Sequence, residues 1–368
     1  MILSELKDIS VIDWGNTSLT KKSYQDLGKF LGVSAAGCDG RMDHAEHEVG
    51  TLVLSAIGAK CGKMFYPNES FTAIKNTITI KPNDSADSKY LFYYLNNNQI
   101  QSRGAGQPFI TKGAASKTKI PLPPLDQQKK IAAILDAADA YREKTKALIE
   151  KYDQLTQSLF LDMFGDPGKK EYNHTEYSME EIANKVTDGD HATPKRTDKG
   201  YKLLSCRNVK QGYIDFEAGV DYVGEDEFNR MVKRCNPEKG DILISCSGTI
   251  GRTVSIRIDE PFVLVRSAAL IKPKLEIVNS LFLEKYLQTT YMQAVMLRKA
   301  NTSSQANLFT GPIKSLPILL PALELQNQFA ERVQAIEAQK AQAQASLAQA
   351  EDLFNSLLQR AFKGELTN

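Results

Sequence analysis

A chain of 368 residues is longer than one ordinary hydrophobic core supports, and its 42% hydrophobic and 24% charged residues are those of a folded, multi-domain globular protein. It has no run of about 18 apolar residues, and the opening MILSELKDIS carries acids where an export signal needs bases, so neither a membrane span nor a leader is expected and a cytoplasmic location is. Forty-six Lys and Arg against 44 Asp and Glu leave a net charge of +2, which by itself identifies no partner.

In chain order, LGKFLGVSAAG, GTLVLSAIGAK and FTAIKNTITIKP read as short strands, and SKYLFYYLNNNQI as an amphipathic helix. An acid-free stretch, 101–119, follows with Arg103, Lys112, Lys117 and Lys119. Pro121, Pro123 and Pro124 then fix where a long helix begins, and Gly165 marks where it ends. Along that helix Ile131, Ile134, Ala138, Tyr141, Thr145, Leu148, Tyr152, Leu155 and Leu159 alternate in steps of three and four, the seam of a coiled coil. A basic segment, 185–210, sets seven Lys and Arg against three Asp. Strands are predicted in YKLLSCRNV, GDILISCSG, TVSIRI and FVLVRSAALIKP, and a helix in NSLFLEKYLQTTYMQAVML. A second acid-free stretch, 285–323, carries Lys285, Arg298, Lys299 and Lys314; Pro317 and Pro321 precede a second long helix. Its seam is Val333, Ile336, Lys340, Ala343, Leu347, Ala350, Phe354, Leu357 and Ala361, and Gly364 ends it.

The two long helices are copies. At a constant offset of 198 positions Pro123 matches Pro321, Leu125 matches Leu323, Gln128 matches Gln326, Leu155 matches Leu353 and Phe164 matches Phe362, with no gap. The blocks before them correspond as well, GTLVLSAIGAKCGK with GDILISCSGTIGR and ITIKP with ALIKP. The expected fold is α+β: two mixed α/β domains separated by two long, antiparallel, coiled-coil-like helices, with an internal pseudo-twofold duplication. Ile131, Ile134, Tyr141, Leu148, Tyr152, Leu155 and Leu159 are expected to pair with Val333, Ile336, Leu347, Phe354 and Leu357. Such a rod spans roughly 57 Å, against about 34 Å for a turn of DNA, and would hold the blocks at opposite ends. A coiled-coil scaffold without DNA specificity is the competing reading.

Catalytic chemistry is not found. Cys38, Cys61, Cys206, Cys235 and Cys246 form no Cys-x-x-Cys pair. His44 and His47 in DHAEHE read as half a metal site, without the spacing of H-E-x-x-H, or as an exposed turn. GAKCGK lacks the phosphate-loop spacing, no G-x-S-x-G occurs, and DPGK and NPEK fail as the tetrapeptide of an adenine methyltransferase. The turns holding Ser55 and Gly58, or Ser245, Gly248 and Gly251, suit a bound phosphate or a ligand-free hairpin equally. DGDHATPK, 188–195, is more distinctive, because Asp188, His191 and Thr193 can offer hydrogen bonds to base edges while Lys195, Arg196 and Lys199 hold phosphates.

IPLPPLDQQKKIAAILD and its echo LPILLPALELQNQFAERV, the DGDHATPK loop and KGDILISCSGTIG together resemble the specificity subunit of type I restriction-modification systems. The resemblance implies target-recognition domains at 1–120 and 166–316, with conserved helical spacers at 121–165 and 317–368. It implies a DNA-reading, non-catalytic chain that binds double-stranded DNA and two methylation subunits, and restriction or motor subunits through them. S-adenosylmethionine, ATP and Mg are expected on those partners, and no cofactor or metal in this chain. Each domain would read half of a divided target, and the paired helices would set the gap. DNA contacts are expected from Arg41, Lys60, Lys63, Arg103 and Lys112 in the first domain. In the second they are expected from Lys195, Arg196, Lys199, Arg207 and Arg252, beside Asp188, His191 and Thr193. The first domain lacks a DGxHxTP loop and has WGNTSLTKKSYQD near that place.

Overall fold

The computed structural model describes residues 2–104, 106–169, 174–300 and 306–366; the acid-free stretch 285–323 therefore includes 301–305, which lie outside the described residues. The chain divides into two compact units, Met1–Ala147 with Ala343–Asn368, and Leu148–Gln342, so that each unit contains part of both long helices.

In the first unit Ser10–Trp14 pairs antiparallel with Thr77–Pro82, which pairs with Leu52–Ser55, which in turn pairs with Met64–Phe65. A second sheet joins Gly37–Met42 to Phe30–Ser34 and that strand, in parallel, to Phe71–Ala73. The ribbon of Ile2–Glu5 with Lys119–Leu122 leads into the long helix. LVLS at 52–55 is buried at every position, which is why it reads as a continuous apolar run rather than an alternating one. The helix Ser88–Asn97 packs against this sheet, its start capped by the Asp87 carboxylate accepting from the Tyr90 N–H.

The second unit repeats this order strand for strand. Ala183–Asp188, Ala268–Pro273, Ile242–Ser245 and Thr253–Ser255 form one sheet. Asp221–Val223, Tyr201–Leu204 and Phe262–Leu264 form the other, again with its last pair parallel and with Arg196–Thr197 added at the edge. Thr175–Ser178 with Pro317–Leu320 is the second ribbon. The duplication thus extends to strand order and pairing direction. NSLFLEKYLQTTYMQAVML is two helices, Ser280–Gln288 and Thr290–Lys299, because Thr289 adopts an extended backbone and its hydroxyl caps the second by accepting from the Met292 N–H. The carboxylate of Glu284, fully buried, accepts from Ser255, Arg257 and Lys285, and the same two bases reach Glu337 on the second long helix.

The long helices are Leu125–Phe164 and Leu323–Lys363, 40 and 41 residues; at 1.5 Å per residue each is about 60 Å long. Within the first unit Ile131, Ala132 and Leu135 share a core with Tyr90, Leu91, Phe354 and Ala361, and the Arg142 guanidinium lies 4.2 Å from the centre of the Phe354 ring. Within the second, Phe160 and Phe164 pack on Phe282 and Phe329, Lys340 meets Asp153 at 2.5 Å, and Arg332 lies 3.8 Å from the Met163 Sδ. In each unit the paired helix segments run antiparallel.

The seam expected on the first helix is corrected at every second position. Ile134, Tyr141, Leu148 and Leu155 are 37, 55, 42 and 49% exposed. The inward stripe instead runs Ile131, Leu135, Ala138, Arg142, Thr145, Ile149, Tyr152, Thr156 and Leu159, all buried or half-buried. Two of its members look like surface residues, but Arg142 donates to Asp139 at 2.8 Å and holds its guanidinium over the Phe354 ring, and Thr156 bonds back to the Tyr152 carbonyl at 3.1 Å. On the second helix Val333, Ile336, Leu347, Phe354 and Leu357 are buried or half-buried.

Candidate nucleic-acid interface

In the second unit the DGDHATPK segment leaves the end of the strand Ala183–Asp188. Gly189 is needed there, since a Cβ would stand 2.3 Å from the Leu264 carbonyl oxygen. The Asp190 N–H then donates to that same oxygen at 2.8 Å, and the buried Asp190 carboxylate accepts from Arg230. Arg230, helped by the N–H groups of Ala192 and His191, holds the Asp190 carboxyl below the usual carboxylate range, against the opposing effect of burial. Asp188 is likewise committed inside the protein: one oxygen accepts from Arg234 at 2.6 Å and the other is 2.6 Å from the His191 Nε2. The loop is therefore anchored by its acids, and Thr193, Lys195 and Lys199 are left on its exposed side.

Three further segments join it. The Arg266 N–H donates to the Asp190 carbonyl at 3.0 Å; the Ser267 hydroxyl accepts from the Cys206 N–H at 3.0 Å; and the Ser247 hydroxyl lies 3.5 Å from the Cys206 Sγ. The loop, the turn 205–208, residues 265–267 and the Ser-Gly turn 245–251 thus form one connected surface. Arg207 and Arg266 are exposed on it, and their guanidinium groups have no ion-pair partner among the described residues. Arg196 is paired with Asp221 at 2.8 Å. Arg252 is half-buried, its N–H donating to the Ser245 hydroxyl that closes the turn.

The first unit builds the same surface from WGNTSLTKKSYQD. Trp14 ends its strand as Asp188 does. A Cβ on Gly15 would lie 2.7 Å from the Ile74 carbonyl oxygen. The N–H groups of Gly15 and Asn16 donate to Thr77 and Ala73, as those of Gly189 and Asp190 donate to Ala268 and Leu264. The Ala56 N–H donates to Asn76 as that of Cys246 does to Ser267, and the Ile74 N–H to Val33 as that of Val265 does to Leu204. Lys75 occupies the place of Arg266. The loop missing from the first domain by its letters is present by its hydrogen bonds.

The other residues expected to contact DNA are dispersed. Lys60 lies in the Ser-Gly turn with its ammonium donating to the Ala36 carbonyl at 2.6 Å, and Lys63 is exposed in the same turn. Arg103 is exposed beside that turn, through the Arg103–Phe109 and Ile57–Phe109 bridges. Arg41 is neutralised by Glu69 at 2.8 Å, and Lys112 is drawn to Asp13 at 2.6 Å, where it ties a short helix to the strand Ser10–Trp14. Lys22, Lys75 and Arg266 escaped the sequence reading, as did the anchors Arg230 and Arg234. The usable signal for Lys75 and Arg266 was FTAIKN against FVLVRS, an extension of the internal repeat beyond its strands. Among the described residues no group of three or more His, Cys, Asp or Glu gathers to hold a metal; His44 lies 3.5 Å from Glu46, and the His47 ring packs against Phe71. No helix is long and apolar enough to cross a membrane among those residues.

Comparison with known proteins gives a consistent result. The family model described as type I restriction modification DNA specificity domain matches residues 3–151 and again 196–351. The type I restriction enzyme EcoBI specificity subunit of Escherichia coli is 26% identical over 327 residues, which cover 76% of this chain and 66% of that protein. The MjaVIII specificity subunit of Methanocaldococcus jannaschii is 26% identical over 304 residues, covering 76% and 70%. This chain thus spans about two thirds of the length of these curated relatives. Among solved structures, the type I restriction-modification system S subunit from M. genitalium aligns over 98% of this chain and 96% of its own, with a TM-score of 0.67 at 18% identity, a likeness of fold. A chain from a study of complex assembly and conformational transition of the type I R-M system aligns over 99% and 98%, with a TM-score of 0.57 at 17% identity. With two matches that together cover most of its length, this chain belongs to the family of the type I restriction modification DNA specificity domain.

Proposed function

We propose that this chain is the DNA-specificity subunit of a type I restriction-modification complex, and that each of its two domains reads one half of a divided DNA target. The observation that carries the reading is the repetition, in both units, of one anchored loop with cations beside it that have no ion-pair partner among the described residues: Lys22 and Lys75 in the first, Lys195, Arg207 and Arg266 in the second. Anchoring by internal hydrogen bonds fixes where the exposed groups stand, which base-edge recognition requires, while mobile cations would supply only phosphate attraction. The long helices would set the gap between the half-sites and offer docking surfaces to two methylation subunits, with restriction or motor subunits joining through these.

In this reading the chain itself catalyses nothing. Methyl transfer would take place on the methylation subunits with S-adenosylmethionine, and ATP and Mg would serve the motor subunits. The residues of this chain position DNA, through phosphate contacts that set register and loop groups that discriminate bases. The test is to map methylated adenines in a host expressing the chain with its methylation subunit, and again without the chain. A two-part methylated sequence that vanishes when the chain is omitted is expected; the same sequence methylated without the chain would refute the proposal.

A further inference from the structure

We infer that residues 14–22, with Lys75 beside them, are the target-reading loop of the first domain. The inference rests on the specificity-subunit reading and assigns a segment, WGNTSLTKK, that lacks the Asp-Gly-Asp-His opening and the Thr-Pro pair of DGDHATPK.

Two relationships beyond the shared backbone hydrogen bonds support it. The first is the polar lock behind the loop. In the second unit Asp190 accepts from Arg230, whereas in the first the Asn16 amide donates to the Glu46 carboxylate at 2.6 Å. The same position is tied down with donor and acceptor exchanged, which explains why no sequence motif links the two. The second is the pairing of a loop cation with an acid on the neighbouring hairpin strand: Arg196 with Asp221 at 2.8 Å, and Lys21 with Asp39 at 2.5 Å. Burial alone would raise the Asp39 carboxyl, but hydrogen bonds from Lys21, Tyr24 and Ser34 hold it below its ordinary value, so the pair stays ionic at neutral pH. In each loop one cation is thereby consumed and another has no ion-pair partner among the described residues, Lys22 in the first and Lys195 in the second.

Beside the first loop lies a groove of about 400 Å³ lined by Thr20, Lys75 and Asn76 with the apolar Ala35, Ile57 and Ile74 among others; Lys21 and Ser34, also in its lining, are bonded to Asp39 and Lys60 to the Ala36 carbonyl, which leaves the Lys75 ammonium without an ion-pair partner among the described residues. A free ammonium beside neutral hydrogen-bonding groups favours acceptor-rich partners, the phosphates and the guanine or thymine edges of duplex DNA. Trp14, exposed at the strand end, adds an apolar face suited to a thymine methyl group.

The test uses the chain in complex with its methylation subunit and the adenine-methylation map of the host chromosome as readout. The side chains of Thr17, Lys22 and Lys75 are exposed and bond no other side chain among the described residues, so the variant Thr17→Ala/Lys22→Ala/Lys75→Ala is expected to keep its fold. It should lose about 10-fold discrimination at one or more positions of one half-site, with the other half and the gap unchanged. Thr193→Ala/Lys195→Ala should blur the opposite half. An unchanged target in the triple variant, a loss in the same half as the second variant, or an equal fall at every target with its sequence intact would each overturn the assignment, the last because it marks phosphate contact alone. Lys22→Ala alone carries the same test if the triple variant does not accumulate. A wild-type complex that methylates no two-part target would instead overturn the specificity reading on which the assignment rests.

Discussion

Gln128 and Gln326, 198 positions apart, make the same three hydrogen bonds at the starts of the two long helices. The Gln128 carbonyl oxygen accepts from the Asp87 N–H at 2.8 Å, and its amide donates to the Ser85 and Pro123 carbonyls at 3.0 and 2.8 Å. Gln326 accepts from the Asn279 N–H at 2.9 Å and donates to Ile277 and Pro321 at 3.0 and 2.8 Å. Both side chains are buried, so each joins a helix start to the residues that cap the shorter helix of its own domain. Truncation leaves a buried donor and two acceptors unmatched, at a cost of about 2 kcal/mol. Gln128→Ala should therefore speed amide hydrogen exchange around 85–97 by roughly 30-fold and leave 277–288 unchanged, and Gln326→Ala should do the reverse. Equal acceleration in both regions by either variant would contradict the independence of the two anchors.

The Asp190–Arg230 pair gives the loop of the second domain a defined pH dependence. The Asp190 carboxyl is held below its ordinary value of 3.8 in the folded chain, so its stabilising contribution is complete above the unfolded-state value and is lost as pH falls through the lower folded value. Asp190→Asn removes this titration. The stability difference between wild type and Asp190→Asn, measured by thermal unfolding, should be constant from pH 7 to about pH 5 and shrink below about pH 4. A difference that grows with acidification would reverse the assigned sign.

The corrected helix seam makes a contrasting pair of variants informative. Leu135 is fully buried in the core that also holds Tyr90 and Tyr93, while Tyr141 is more than half exposed. Leu135→Ala should destabilise the first unit by about 3 kcal/mol, whereas Tyr141→Lys should change stability by less than about 0.5 kcal/mol. Denaturant titration of each variant decides the matter, and the opposite ranking would restore the seam through Tyr141.

These particulars show where the sequence was informative. The offset of 198 and the proline-framed helix starts announced the duplication, and strand runs such as LVLS and ILIS placed the sheets, because burial on both faces writes itself as uninterrupted apolar residues. The seam was half legible. Large apolar residues at 134, 141, 148 and 155 outweighed Arg142 and Thr156, whose inward placement depends on a ring and a carbonyl supplied by the fold. The loop of the first domain was illegible because Trp-Gly-Asn and Asp-Gly-Asp share only the glycine. What they have in common is a set of backbone hydrogen bonds and a lock of reversed polarity, neither of which a string of letters records.

If the helices set the gap, lengthening both of them should lengthen it. Inserting one heptad after Ala147 and one after Gln342 keeps the three-four phase of each seam and leaves the contacts inside each unit intact. Seven residues add about 10 Å of helix, or about three base-pair steps. The methylation map should show a gap longer by about three base pairs with both half-sites unchanged. An unchanged gap with active methylation would exclude the helices as the ruler.

The measurement that bears most directly on the two-domain account is a domain exchange. Residues 174–316 are replaced by the corresponding segment of a family member with a different target, and the methylated sequence is mapped in the presence of the methylation subunit. The account predicts that one half of the target takes the donor's sequence while the other half and the gap stay as in the wild type. A change in both halves, or in neither, would contradict it.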